Sequence, residues 1–248
     1  MYRRLSTMTD VVDIKAGLRN VLERIAIVSN NRTIQKNVQL VAVSKTKPVE
    51  AILEAYEEGQ RHFGENYVQE LQDKANDPVI LEKCKDIKWH FIGHLQSNKV
   101  NKVVKLPNIH MVETIDSQKL AENVNSSWEK YRLNDSGKLK VLIQVNTSGE
   151  ENKSGVNPKE VSQLYDYMNQ KCTALETVGL MTIGEYGYDY SKGPNPDFVS
   201  LLECAKSVKG NESLELSFGM SDDFEKAIEI GSTIVRVGSS IFGYRTKK

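Results

Sequence analysis

A lysine at the end of a buried strand is the first residue here that could do covalent chemistry. In "QLVAVSKTKPVE" (39–50) the apolar run 40–43 is typical of a parallel strand buried on both faces. Alternation along an extended chain puts Val41, Val43 and Lys45 on one side. If that side is enclosed, the pKa of the Lys45 amine falls, and the amine becomes a nucleophile that can condense with an aldehyde.

The alternative is a lysine that leaves the sheet and reaches water. Most strand-end lysines do so, and the pattern alone favours that interpretation. Lys47 is less suited to covalent chemistry, because it lies further out and next to Pro48, which imposes loop geometry. The case for Lys45 therefore depends on the groups that the fold brings near it.

Two loops with glycine and serine near the C-terminus could hold an anion. In "SFGMSDD" (217–223) and "RVGSS" (236–240) a predicted strand leads into small residues, and the first segment runs directly into a helix whose N-cap could be Ser221. Glycines let backbone N–H groups approach a phosphate, and serines add hydroxyl donors. One such loop is more often a plain turn, but two after strands seven and eight of a barrel favour a phosphate site.

Arg236 is a cation inside the apolar strand "TIVRVG" (233–238), where burial is costly without a partner. It points into a barrel if the flanking valines face outward. Two interpretations stay open: a functional residue at the mouth, or a structural ion pair with a carboxylate such as Glu65 or Glu113.

Metal and nucleic-acid sites are not expected. His90 and His94 would share one face of a strand, but no third ligand has diagnostic spacing. Lysine plus arginine and aspartate plus glutamate both number 33, so the net charge of zero favours neither nucleic acid nor an anionic membrane. The lysines of "SNKVNKVVK" fall at helical spacing, which is typical of a solvated face.

The order of predicted elements supplies the frame for these residues. After a helical segment at 11–28, eight β-rich segments alternate with helical ones, which implies parallel βαβ units. The strand candidates are 40–45, 62–66, 89–94, 110–115, 140–146, 177–183, 214–220 and 233–238. Eight units in 248 residues match a (β/α)₈ TIM barrel. An open doubly wound sheet fits less well, because G-x-G-x-x-G is missing after the first strand.

The α/β barrel is predicted as a single domain at 9–248, with an extra N-terminal helix outside it and a flexible stretch at 1–8. The C-terminal ends of barrel strands share one mouth, so Lys45, Asn66, Ser217 and Arg236 should converge there.

The cysteine content and the lack of targeting segments indicate the cellular compartment. Three cysteines, widely spaced and without C-x-x-C, indicate free thiols in a reducing compartment. The chain has neither an apolar run of membrane length nor a secretory signal. "MYRRLST" is basic but short for a mitochondrial presequence, so a cytoplasmic location is expected, with a mitochondrial fraction as a weaker alternative.

An aldehyde-reactive lysine, a phosphate cradle and an arginine at one mouth together meet the requirements of pyridoxal 5′-phosphate (PLP). The sequence also resembles the pyridoxal phosphate homeostasis protein family over nearly its whole length. That family has a single-domain, alanine-racemase-like barrel, the type III fold of PLP proteins. The matching segments are "AVSKTKP", "FGENYVQE", "WHFIGHLQSNK", "KSGV", "GLMTI", "LSFGMSDDFEKAIEIGST" and "VRVGSSIFG".

The resemblance implies a role for each predicted site residue. Lys45 would carry the PLP Schiff base as an internal aldimine, Arg236 would face the pyridine nitrogen, and Asn66 would lie beside the cofactor. The phosphate would be held by Ser217, Gly238 and Ser239. Phe218 stands where many relatives would have methionine, and both residues are large and apolar.

Two functions follow from these expectations. The first is a monomeric carrier that buffers PLP in intracellular vitamin B6 homeostasis and delivers it to PLP-dependent apo-enzymes, with no nucleic-acid or membrane partner. The alternative is an amino-acid racemase of weak or narrow activity, which needs acid–base groups on both faces of the substrate. Two-domain racemases supply the second group as a tyrosine from another domain, whereas this chain ends at Lys248 soon after strand eight. Tyr67 or a tyrosine of "YGYDY" (186–190) could substitute.

A phosphosugar-type barrel enzyme without a cofactor is a third possibility. It would explain the phosphate cradle but would leave Lys45 without a function.

Overall fold

Eight parallel strands form a closed barrel in which each strand pairs with its neighbours in chain order and β8 returns to β1. This computed structural model describes residues 12–32, 36–131, 137–150, 153–208 and 213–244. The strands are β1 (Gln39–Val43), β2 (His62–Glu65), β3 (Lys88–Phe91), β4 (Ile109–Ile115), β5 (Leu139–Gln144), β6 (Leu175–Met181), β7 (Glu215–Ser217) and β8 (Ile234–Val237). The predicted (β/α)₈ barrel is confirmed.

Helices surround the barrel, joining successive strands as parallel pairing requires. Within the described residues they are α1 (Ile14–Asn31), α2 (Val49–Glu57), α3 (Val68–Ala75), α4 (Pro78–Lys83), α5 (Val100–Val104), α6 (Gln118–Tyr131), α7 (Val161–Lys171), α8 (Pro196–Ser207), α9 (Phe224–Ile230) and α10 (Ser239–Phe242). None of these helices combines the length and apolar character needed to cross a membrane. The predicted flexible stretch at 1–8 lies outside the described residues.

The extra N-terminal helix is α1, which begins three residues later than expected. Asp13 caps it by accepting the Ala16 N–H (2.9 Å). Its apolar face packs against α9, α10 and α2. Gly17 permits the close approach to α10, because a Cβ there would lie 2.9 Å from the Ser240 carbonyl oxygen. The N-terminal helix thus supports the segment that follows β8.

The apolar core has two parts. The larger lies between the strands and the helices, and a small cluster lies inside the barrel. The inner cluster consists of Val41, Met111, Leu142, Met181 and Ile234. Buried polar side chains, including Arg236, Glu113 and His90, share the interior with it. The barrel is therefore a packed core in which an apolar layer adjoins a polar one.

Strand register decides which side chains enter the barrel. Arg236 pairs with Val41 of the inner cluster, while Val235 and Val237 pack among the outer apolar residues. The expectation that Arg236 points inward is confirmed. β1 stops at Val43, however, so Lys45 belongs to the loop rather than to the strand.

The expected helix start at Ser221 is wrong. α9 begins at Phe224 with Asp223 at the N-cap position. The Asp223 carboxylate accepts the Met220 N–H (2.7 Å), which closes a turn before the helix begins. The Ser221 hydroxyl is directed toward the loop after β8 instead.

Candidate functional site

Lys45 lies at the C-terminal end of β1, between the ends of two neighbouring strands. Val43 pairs with Gly64, which brings Asn66 to one side, and Ala42 pairs with Val237, which brings Gly238 to the other. Lys45 is half-buried. This exposure is intermediate between the two alternatives that the sequence left open, an enclosed amine and an amine that reaches water. The predicted cofactor residues after strands one, two and eight therefore lie at one rim of the barrel.

A buried ion network fixes the backbone before Lys45. The Lys74 amine donates to the Ser44 carbonyl oxygen (2.8 Å) and to the carboxylates of Glu65 (2.7 Å) and Glu70 (2.6 Å). Ser44 also donates its hydroxyl to Glu65 (2.6 Å). Burial raises the pKa of Glu65, and the charge of Lys74 opposes that rise. The three ionisable groups stabilise one another beneath the Lys45 loop.

The same network holds the backbone after Lys45. Thr46 has a φ of 64°, a left-handed conformation that costs energy for a β-branched residue. Its N–H donates to the carboxylate of Glu70. Lys45 is thus flanked on both sides by residues that Lys74 and Glu70 hold in place. The sequence did not indicate Lys74 or Glu70 as site residues, because a lysine and a glutamate four positions apart on a polar helix usually form an exposed pair.

Arg236 enters the barrel interior below the mouth. Its guanidinium donates to the Ser217 hydroxyl (2.6 Å) and to the Thr182 carbonyl oxygen (2.8 Å), and only 5% of the residue is exposed. A direct ion pair with Glu65 or Glu113, one of the two interpretations left open by the sequence, is not among the contacts of the described residues. Glu65 pairs with Lys74, and Glu113 reaches Arg236 only through Ser217.

Ser217 is fully buried, and its hydroxyl is engaged twice. It accepts from Arg236 and donates to the Glu113 carboxylate (2.7 Å). In this arrangement the hydroxyl orients the guanidinium, so its assignment as a phosphate ligand stays a prediction. Burial would raise the pKa of Glu113, but the hydrogen bonds from His90 and Ser217, together with the charge of Arg236, lower it overall.

The two loops expected to hold an anion do meet. The Ser221 hydroxyl oxygen accepts the backbone N–H of Gly238 (3.1 Å) and of Ser240 (3.5 Å). The Ser221 hydroxyl oxygen thus occupies the point on which the N–H groups of Gly238 and Ser240 converge, and a phosphate oxygen would bind at such a point. The sequence indicated Gly238 and Ser239, but not Ser240 or the bridging position of Ser221, which depends on a contact between separate loops.

Asn66 presents an unpaired acceptor beside Lys45. Its Oδ1 atom is buried and accepts no hydrogen bond from the described residues. Buried acceptors are rarely left unpaired without a reason, so this atom suits a ligand that donates a hydrogen bond. The Asn66 backbone is held closely by Gly93, where a Cβ atom would lie 1.9 Å from the Asn66 carbonyl oxygen.

Replacing Gly93 with alanine is expected to displace Asn66, because the added methyl group has no space. We expect a loss of about 1–3 kcal/mol of unfolding free energy, as for other overpacked sites, together with weaker ligand retention at the mouth. Gly187→Ala is the comparison variant: its Cβ meets nothing within 4 Å, so alanine there is disfavoured only by the positive φ of 72° and not by a clash. Urea unfolding of both variants checks this; equal losses would contradict the steric explanation.

His90 and His94 do not share a face. β3 ends at Phe91, so His94 lies in the loop beyond it with 57% of its side chain exposed, while His90 is buried inside the barrel. His94 lines a cleft next to Asn66 together with Lys99 and Lys102. Two cations therefore line a cleft beside the mouth, where they favour the approach of an anionic ligand.

Sequence comparison places the chain in a family. A family model described as "Alanine racemase, N-terminal domain" matches residues 22–246. The pyridoxal phosphate homeostasis protein of Bos taurus is 52% identical over 250 residues, covering 98% of this chain and 91% of the relative. The protein of that name from Caenorhabditis elegans is 43% identical, covering 95% and 97%. The chain belongs to the pyridoxal phosphate homeostasis protein family.

Solved structures share the architecture of this homeostasis-family barrel. PipY of Synechococcus elongatus, solved with PLP bound, superposes with a TM-score of 0.74 at 30% identity, covering 93% of this chain and 100% of PipY. An unknown protein from Bifidobacterium adolescentis gives 0.79 at 34% identity, covering 92% and 94%. Alanine racemase from Corynebacterium glutamicum gives 0.63 at 13% identity, covering 95% of this chain and 62% of the racemase, which shows a common fold.

Proposed function

We propose that this protein binds PLP at the barrel mouth and carries or buffers it in intracellular vitamin B6 homeostasis. The observation that carries the proposal is the strand register around Lys45: this half-buried residue follows β1 between the ends of β2 and β8, which lead to the unpaired Asn66 acceptor and to the converging N–H groups of Gly238 and Ser240. Relatives named for PLP homeostasis and the PLP-bound PipY structure support it.

PLP supplies an aldehyde that condenses reversibly with a primary amine. Lys45 would hold that aldehyde, while Gly238 and Ser239, which follow β8, would hold the phosphate together with Ser217. Arg236 would meet the ring nitrogen. A guanidinium only donates hydrogen bonds and stays charged, so it would keep that nitrogen unprotonated. The site would then withdraw electrons weakly, which suits holding the cofactor better than breaking substrate bonds.

The candidate tyrosines give the racemase alternative little support. Racemisation needs a second acid–base group opposite the lysine. Tyr67 is 51% exposed and Tyr186 is 79% exposed, so both lie mainly in solvent. Tyr190 donates its hydroxyl to Asp223 (3.3 Å), and burial raises its pKa further from neutrality. A tyrosine that holds its proton this firmly is a poor base near pH 7.

Transfer to an apo-enzyme tests the carrier function. The PLP-loaded protein, freed of unbound PLP, is expected to restore activity to an apo-aminotransferase when the two are mixed. The same preparation incubated with single L-amino acids should form no D-enantiomer on chiral chromatography. Steady enantiomer conversion would support the racemase instead, and failure to reactivate any apo-enzyme would restrict the role to storage.

The finer expectations about partners and setting belong to the same proposal. PLP-dependent apo-enzymes would be the recipients, and the protein would act as a monomer in the cytoplasm. Cys84, Cys172 and Cys204 are all buried free thiols, which supports a reducing compartment.

A further inference from the structure

Three histidines meet at the end of the barrel opposite Lys45. His62 is the first residue of β2, His90 the third of β3 and His110 the second of β4. One ring nitrogen from each lies within 4.8 Å of the others, and the His62 Nδ1 to His90 Nε2 distance is 2.8 Å. We call these three residues the rim histidines.

An irregularity in the sheet creates this grouping. Trp89 pairs with Ile109, but the next residue, His90, pairs with Met111, so His110 is an extra residue on β4. Such a bulge turns a side chain away from its normal alternation, and bulges are frequent at barrel rims and beside functional sites. His110 therefore joins His62 and His90 instead of alternating away from them.

The deepest of the rim histidines is oriented as a metal ligand would be. His90 is 1% exposed, and its Nδ1 atom is hydrogen-bonded to the Glu113 carboxylate (2.7 Å). A carboxylate on one ring nitrogen fixes the tautomer so that the other nitrogen is free to coordinate, as in most histidine ligands of zinc. Ser217 holds Glu113 in turn, so the carboxylate is itself fixed.

We propose that the rim histidines bind a divalent transition metal ion, Zn²⁺ foremost, with water in a fourth position. Tetrahedral zinc with bonds of about 2.0–2.1 Å needs nitrogen atoms roughly 3.3 Å apart. The observed separations, from 2.8 Å to at most 4.8 Å, bracket that value. His62 and His110 are half-buried, so modest ring rotations can bring their nitrogens to it and the ion has an entry path from solvent.

Some charged groups around the rim histidines oppose the binding of a cation and one favours it. Lys88 and Lys140 raise the local potential and disfavour a cation, whereas the ionised Glu113 offsets one of them. Neutral imidazole is the form that coordinates a metal, and it suits zinc, copper, nickel and iron.

Zinc binding by the untagged full chain tests the proposal. After incubation with Zn²⁺ and dialysis, the wild-type protein is expected to retain about one ion per chain and to unfold at a higher temperature than the metal-free protein. His110→Phe keeps ring volume and leaves the His62–His90 bond in place. It should weaken zinc affinity by more than roughly 100-fold, beyond the effect of losing a supporting residue.

His94→Phe is the matched control, because His94 is exposed at the opposite end of the barrel. It should bind zinc as the wild type does. Should His110→Phe fail to fold, the zinc X-ray absorption spectrum of the wild type still decides: imidazole nitrogens at about 2.0–2.1 Å are expected. Sulfur ligands, no retained zinc, or equal loss in His94→Phe would overturn the proposal.

Discussion

Lys45→Ala protein is expected to lose covalent PLP attachment completely. No methyl side chain can form the carbon–nitrogen bond that the amine forms with the aldehyde. Treatment with borohydride makes that bond permanent, so intact mass spectrometry of the wild type should show the chain plus one reduced cofactor. The variant should show the unmodified mass and lack the visible absorption of the bound cofactor. Weak phosphate-mediated binding should remain, because the loops after β7 and β8 are unchanged.

Lys47→Ala is the matched control for this experiment. Lys47 donates to the Tyr244 carbonyl oxygen (3.2 Å), and burial lowers the pKa of its amine, so it resembles Lys45 in type and exposure. It should retain full labelling. Labelling that persists in Lys45→Ala and disappears in Lys47→Ala would reverse the assignment.

Lys74→Met is expected to be among the most destabilising single changes in the chain. It removes the amine but leaves Glu65, which is 0% exposed, as a buried carboxylate without its counter-ion. Breaking a buried pair in this way typically costs about 3–5 kcal/mol, which denaturant unfolding measures directly. PLP retention should fall as well, since Ser44 and Glu70 lose the group that holds the Lys45 loop.

Two companion variants separate the causes. Lys226→Met removes one member of an exposed ion pair with Glu229 and should cost less than about 1 kcal/mol. Adding Glu65→Gln to Lys74→Met replaces the stranded carboxylate with a neutral amide and should recover a substantial part of the loss. If the double variant is as unstable as Lys74→Met, the cost comes from packing around the lysine stem rather than from charge.

Most of the barrel fold could be predicted from local sequence patterns. Eight apolar segments alternate with amphipathic ones, and this repeat can be recognised from the local sequence. A parallel strand buried on both faces is a continuous apolar run, so the strand at 40–43 can be recognised without tertiary information. Alternation alone also placed Arg236 inside the barrel. The ends of the strands were predicted less well: β1 ends at Val43, before Lys45, and the following loop includes Thr46 in a left-handed conformation, with its N–H bonded to the Glu70 carboxylate.

The parts of the site that could not be predicted depend on contacts between distant segments. The sequence indicates Ser217 as a phosphate ligand, but its hydroxyl is bonded to both Glu113 and Arg236, which come from other strands. Lys74 looks solvated because its helix is polar, yet three acceptors bury it. His62 and His110 showed no metal spacing, since a register shift between two strands brings His110 to the rim.

The buried hydrogen bonds between His62, His90, Glu113, Ser217 and Arg236 run without a break from one end of the barrel to the other. Each residue in this series is hydrogen-bonded to the next, so a displacement at one end of the series can be passed to the other. Thermodynamic linkage makes any resulting coupling reciprocal: whatever factor a zinc ion at the rim histidines applies to PLP affinity, PLP applies to zinc affinity. If that factor differs from one, the amount of cofactor that the mouth releases depends on the supply of metal at the opposite end.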